Sequence, residues 1–207
     1  MKTPDSPLWA RAVSDVFHPL FAPSWTLALM IAWHPSEHGF HFWPLLVLLF
    51  SSTVLFPLAV SALWIRTGRM ESLRRSSPRD RQWSYIITAL GLYLSYQWAD
   101  YHELPLSLQA PLLGGCMSLL LLLLLPPRWK ASGHMAGLWG ATMGVVFSVL
   151  SWGVSPYYLF GLLITQGLVG SALLRLNRHS SGELLIGSFL GALPTGLFLY
   201  FLRAIGH

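Results

Sequence analysis

The sequence predicts an all-α protein, a polytopic membrane bundle of about seven transmembrane helices folded as a single integral membrane domain over residues 1–207. Three observations carry this reading. Of 207 residues, 54% are apolar and only 10% charged, a balance that suits hydrocarbon better than water. The apolar residues fall in blocks near the length that crosses a bilayer core, about 20 residues of helix. Almost all of the positive charge lies between those blocks on alternate connections, so one side of the bundle collects it.

Hydropathy places the spans near Val16 to Trp33, Trp43 to Trp64, Trp83 to Ala99, Leu108 to Leu125, His134 to Trp152, Pro156 to Leu174 and Glu183 to Leu202. Pro126-Pro127 and Ser155-Pro156 punctuate span ends, where a helix cannot continue. Pro57 and Pro194 lie inside spans, which membrane helices tolerate when neighbours satisfy the freed carbonyls. Lys2, Arg11 and Asp15 precede the first apolar stretch, which lacks the short core and cleavage site of a secretory signal and reads as a retained helix. The single cysteine, Cys116, sits in a Gly- and Leu-rich block, so no disulfide framework or thiolate metal site is expected.

With seven crossings, the N-terminus and the loops after spans two, four and six share a face. Lys2, Arg11, Arg66, Arg69, Arg74, Arg75, Arg79, Arg81, Arg128, Lys130, Arg175 and Arg178 all fall on it, leaving Arg203 for the other. The positive-inside rule makes the basic face cytoplasmic, and the expected location is a multi-pass one in a bacterial inner (plasma) membrane. A formal charge of +5 invites a nucleic-acid reading, but no basic stripe lies outside the apolar blocks, so no nucleic-acid partner is expected. Anionic membrane lipids or a phosphorylated substrate fit better. On the opposite face His34, His38 and His41 occupy a Pro/Ser/Gly loop with no supporting partners evident, and read as solvated residues rather than metal ligands.

The loop after span four, Lys130-Ala131-Ser132-Gly133-His134, runs into a helix, putting free backbone N–H groups and a histidine at a positive helix end that suits an anion. The loop after span six, Arg175 to Glu183, carries His179 and Glu183 four residues apart, a spacing that lets them share a face. A carboxylate bonded to one imidazole nitrogen fixes the tautomer and leaves the other nitrogen to attack phosphorus. His134 can then protonate the departing oxygen while arginines neutralise the phosphoryl oxygens. A plainer reading stands beside this one: Ser180 and Glu183 have capping-box spacing, Ser132 is a helix cap, and His134 is an interfacial histidine.

Small residues point to close packing of spans five and seven. Gly137, Ala141, Gly144 and Ser148 line one helical side, and Gly187, Gly191 and Pro194 line another, which would bring His134 near His179. Outside the N-terminal tail the basic face offers only Glu71, Asp80 and Glu183, too few carboxylates for a two-metal phosphatase site. No metal or other cofactor is therefore expected.

These residues resemble the type 2 phosphatidic acid phosphatase and haloperoxidase-like superfamily. Its first motif, Lys, six residues, Arg-Pro, is matched by Arg74 and Arg81-Gln82; its second, Pro-Ser-Gly-His, by Ala131-Ser132-Gly133-His134. Its third, Ser-Arg, five residues, His, three residues, Asp, looks like the segment ending in His179 and Glu183, followed by Gly187 and Gly191. At the position of the family's arginine, six residues before His179, stands Leu173, and Glu183 replaces Asp. The resemblance covers about residues 66–191. It implies a metal-independent membrane phosphatase of a lipid or isoprenoid phosphate working through a phosphohistidine, with His179 as nucleophile, Glu183 as its orienter and His134 as general acid. It further implies that Arg74, Arg81, Ser132 and Gly133 bind phosphate, with Arg175 or Arg178 standing in for the arginine absent at Leu173. The alternative expectation is a non-catalytic relative that binds anionic lipid or a protein partner. A transporter ranks third, since no inverted repeat or mid-span charge is evident.

Overall fold

The computed structural model describes residues 7–17, 44, 47–48, 50–69, 78–104, 106–126 and 129–204. Over these the chain is helical, with no strand among them. A short N-terminal helix, α1 (Leu8–Val16), precedes a π-helical turn, Ser51–Leu55, that runs into α2 (Phe56–Arg66). Then follow α3 (Pro78–Tyr101), α4 (Leu106–Leu124), α5 (Gly133–Trp152), α6 (Tyr157–Arg175) and α7 (Ser181–Ala204).

Three helical stretches are long and apolar enough to cross a membrane by length and composition: Gly133–Ser151, Tyr157–Arg175 and Ser181–Phe201. They coincide with the fifth, sixth and seventh expected spans. The apolar stretches Ser51–Arg66 and Leu108–Leu124 are shorter. α3 has the length, but Gln82, Ser84, Gln97 and Asp100 dilute its hydropathy. Most of the first expected span lies outside the described residues, as do His34, His38 and His41.

The helix ends follow from local chemistry. Ser132 caps α5, its hydroxyl accepting from the Met135 N–H at 3.4 Å, and Gly153 closes it in the left-handed region at φ 65°. Asn177, at φ 51°, ends α6. There Arg178 N–H donates to Leu173 O (3.1 Å) and Asn177 N–H to Leu174 O (3.0 Å), the paired bonds of a Schellman reversal. This sharp turn puts Arg178 and His179 directly below the helix they follow.

α5 and α7 make the most extensive contact in the bundle, and they run parallel. Ser132 lies against Gly187, Ala136 against Gly191 and Gly140 against Thr195, one register repeated at every fourth residue. A Cβ at Gly191 would strike the Ala136 carbonyl, and one at Gly187 the Ser132 carbonyl, so backbone meets backbone. The expected α7 row of Gly187 and Gly191 is the one used. On α5 the contact runs along Ser132, Ala136 and Gly140, one position ahead of the expected row through Gly137 and Ala141. A four-residue row drifts around a helix of 3.6 residues per turn, so neighbouring rows of small residues are hard to tell apart by spacing.

The remaining helices surround this pair. α6 returns antiparallel to α5 and fixes itself to it through Gln166, whose amide donates to Thr142 Oγ1 at 2.6 Å. α3 and α4 form a hairpin over a core of Ala89, Leu92, Leu108, Leu112 and Cys116, and α4 packs on both α5 and α7. The π-helical turn reaches α3, where Ser52 Oγ meets Ser95 Oγ at 2.5 Å and Gly91 admits the Ser52 carbonyl. The faces of α7 are sorted as hydrocarbon would sort them. Leu184, Gly187, Gly191, Thr195 and Leu199 are buried, whereas Leu185, Phe189, Leu193, Leu197 and Phe201 are exposed at every fourth position.

The register predicts a sharp contrast between two glycines. Gly191→Ala has to separate two backbones and is expected to cost about 1–3 kcal/mol. Gly161→Ala, where a Cβ meets nothing within 4 Å, is expected to stay within about 0.5 kcal/mol of the native protein. Thermal unfolding in detergent checks this, and equal midpoints for the two variants would contradict the packing.

Candidate functional site

Because α5 and α7 run parallel, their N-termini lie side by side at one end of the bundle. A backbone hydrogen bond locks them together: Ser132 N–H donates to Glu183 O at 3.0 Å. The loop after α4 and the loop after α6 are thus joined through the residues that open the two helices. Two positive helix ends face the same region.

On the α7 side, His179 Nδ1 lies 2.9 Å from Glu183 Oε2. The same oxygen accepts from Ser180 N–H at 3.2 Å, and Glu183 N–H donates to Ser180 Oγ at 3.3 Å. The capping box and the histidine contact therefore coexist on a single carboxylate. A carboxylate only accepts, so His179 Nδ1 carries a proton, which in the neutral ring puts the lone pair on Nε2. Both side chains are partly exposed, at 14% and 24%.

On the α5 side, Ser132 is fully buried and committed to its cap, and Gly133 opens the helix. His134 is 8% exposed and points its Nε2 at the main-chain carbonyl of Ser14, 3.3 Å away on α1. That carbonyl can only accept, so Nε2 carries a hydrogen and any proton transferred from this ring comes from Nδ1. His134 and His179 lie at the same end, as expected from the packing of α5 and α7.

The arginines divide. Arg178 follows the α6 reversal and donates from Nη1 to Ser14 Oγ at 2.7 Å. Arg175 is exposed in the last turn of α6, at a helix end that favours a cation, and is not among the groups bonded around His179 among the described residues. Arg74 lies outside the described residues. Arg81 lies in the first turn of α3, at the same end of the α3–α4 hairpin as the loop that leads to Ser132. Leu173 is fully buried in an apolar cluster with Met135, Leu138, Val169 and Leu184.

Sequence reasoning missed α1 as a helix, and with it Ser14. The signal was present in outline: Ala10, Val13, Ser14 and Phe17 fall on one helical face, with Arg11 and Asp15 on another. No family model matches the sequence, and neither a curated protein nor a solved structure matches it. The reading of the site rests on the motif residues and their geometry.

Two roles for one carboxylate can be separated. Glu183→Gln keeps a capping-box side chain and is expected to hold stability within about 0.5 kcal/mol, whereas Glu183→Ala is expected to lose about 1 kcal/mol. In both variants the Nδ1–H preference of His179, read from imidazole nitrogen shifts by NMR, is expected to weaken. An unchanged tautomer in Glu183→Ala would remove the orienting role.

Proposed function

We propose that this chain is a multi-pass protein of a bacterial inner membrane, with seven spans, that hydrolyses a lipid phosphate or isoprenoid phosphate without a metal. The observation that carries the proposal is the His179–Glu183 contact at 2.9 Å beside the paired starts of α5 and α7. Support for the membrane setting comes from three helices of spanning length and the outward apolar row of α7.

In this reading the tail of the substrate lies along the apolar helices and the phosphate reaches the basic end. His179 Nε2 attacks phosphorus, forming an N–P bond as the P–O bond to the lipid breaks. His134, as an imidazolium with a proton on each nitrogen, gives the leaving oxygen its proton through Nδ1. Water then attacks the phosphohistidine, passing a proton to His134, and inorganic phosphate departs. Glu183 holds the His179 tautomer throughout and stabilises the imidazolium side of the intermediate. Ser132 and Gly133 contribute the helix start, and Arg178, Arg74 and Arg81 contribute positive charge for the phosphoryl oxygens. No cofactor takes part.

A second reading is favoured by Leu173. With an apolar core residue where the resemblance calls for arginine, the chain would bind anionic lipid or a partner without turnover. The two separate in one assay. Purified protein is offered a panel of lipid and isoprenoid phosphates, and released phosphate is measured. The enzyme reading expects release that chelators leave intact, that vanadate inhibits, and that His179→Ala lowers by about a thousandfold or more. Activity untouched by that substitution rules out the phosphohistidine route; binding without release across the panel selects the second reading.

A further inference from the structure

Ser14 belongs to α1, outside every motif discussed above, yet it meets two candidate site residues at once. Its main-chain carbonyl faces His134 Nε2 at 3.3 Å and its hydroxyl accepts from Arg178 Nη1 at 2.7 Å. It is completely buried, as is its helix neighbour Ala10. A buried hydroxyl holding one nitrogen of an otherwise exposed guanidinium restricts a side chain that normally samples many rotamers.

What brings α1 there is apolar packing. Val13 and Phe17 pack against the cluster built on Leu173, Met135 and Leu184, and α1 docks along α6. The leucine at position 173 thus helps to form the surface on which α1 sits, and α1 delivers Ser14 to Arg178. The Schellman reversal at Asn177 supplies the other half of the geometry by turning Arg178 back beneath α6. The loop arginine that follows the reversal is thus held by a hydroxyl that the docking of α1 delivers.

We propose that Ser14 is a positioning residue that holds Arg178 as the phosphate-binding guanidinium of the site. The inference rests on the phosphate-binding reading of this end of the bundle, and it extends that site to the N-terminal helix. Nη1 is occupied by Ser14, so Arg178 presents its remaining N–H donors to phosphoryl oxygens from a fixed position. The effect of Ser14 passes entirely through Arg178.

The test is a double-mutant cycle on the full-length protein in detergent, with inorganic phosphate as the calorimetric probe and thermal unfolding confirming that each variant is folded. Ser14→Ala is expected to weaken phosphate binding about three- to tenfold, and Arg178→Ala at least as much. Ser14→Ala added to Arg178→Ala is expected to change nothing further, and Ser14→Thr, which keeps the hydroxyl, to bind within about twofold of the native protein. Where substrate turns over, Ser14→Ala lowers kcat/KM by at least the factor it costs in phosphate affinity, and Ser14→Thr restores it. Equal effects of Ser14→Ala with and without Arg178 would show a merely structural role and overturn the proposal, as would native phosphate affinity in Arg178→Ala. Native protein that binds phosphate, shows this coupling and turns over no substrate upholds the proposal while removing the enzyme reading. Turnover with no coupling does the reverse, and native protein that binds no phosphate overturns the proposal.

Discussion

The backbone contact between α5 and α7 is the constraint on which the rest of the structure depends. Gly187 and Gly191 have no side chains to hold the helices apart, so the Ser132 and Ala136 carbonyls rest against the α7 main chain. Such proximity of two backbones supplies close dispersion contacts along the whole seam. The parallel sense matters as much as the distance. Parallel helices put like ends together, and only that arrangement lets the Ser132 amide reach the Glu183 carbonyl. Thr195, buried with an unpartnered hydroxyl among the described residues, is wedged between Gly114 of α4 and Gly140 of α5, where the same interface broadens to a third helix.

On this frame polar groups serve two purposes at once. Glu183 ends the backbone's need for acceptors at the start of α7 and fixes the His179 ring with the same oxygen. Ser14 uses its carbonyl for one site residue and its hydroxyl for another. Economy of this kind follows from a chain in which only 10% of residues are charged: few polar groups are present, and those near a helix end are drawn into more than one bond.

Much of this was legible from the chain alone. Long apolar runs bounded by Ser132 and by Ser155-Pro156 placed α5, α6 and α7 to within two residues, because caps and breakers act locally. His179 and Glu183 paired as their spacing suggested, since four residues span one turn. The α1 helix was not legible. Its nine residues are too few for a hydropathy window, its inward face mixes Ala10 and Ser14 with Val13, and it is held by tertiary contact with α6 rather than by its own propensity. The Ser14 carbonyl that meets His134 belongs to the main chain, which no residue type encodes. Leu173 looked like a lost site residue in the sequence; in three dimensions it is a core residue that gives α1 a place to dock.

The order α5, α6, α7 along the chain, with the first and last in closest contact, has a consequence for biogenesis. A chain that has made α5 and α6 still shows an open seam along Ser132, Ala136 and Gly140, and its Ser132 amide lacks the Glu183 carbonyl until α7 follows. α7, made after α5 and α6, is therefore the helix that closes the seam and completes the basic end. Until then the lock between the two helix starts is open, and a chain cut short before α7 keeps only its Ser132 half.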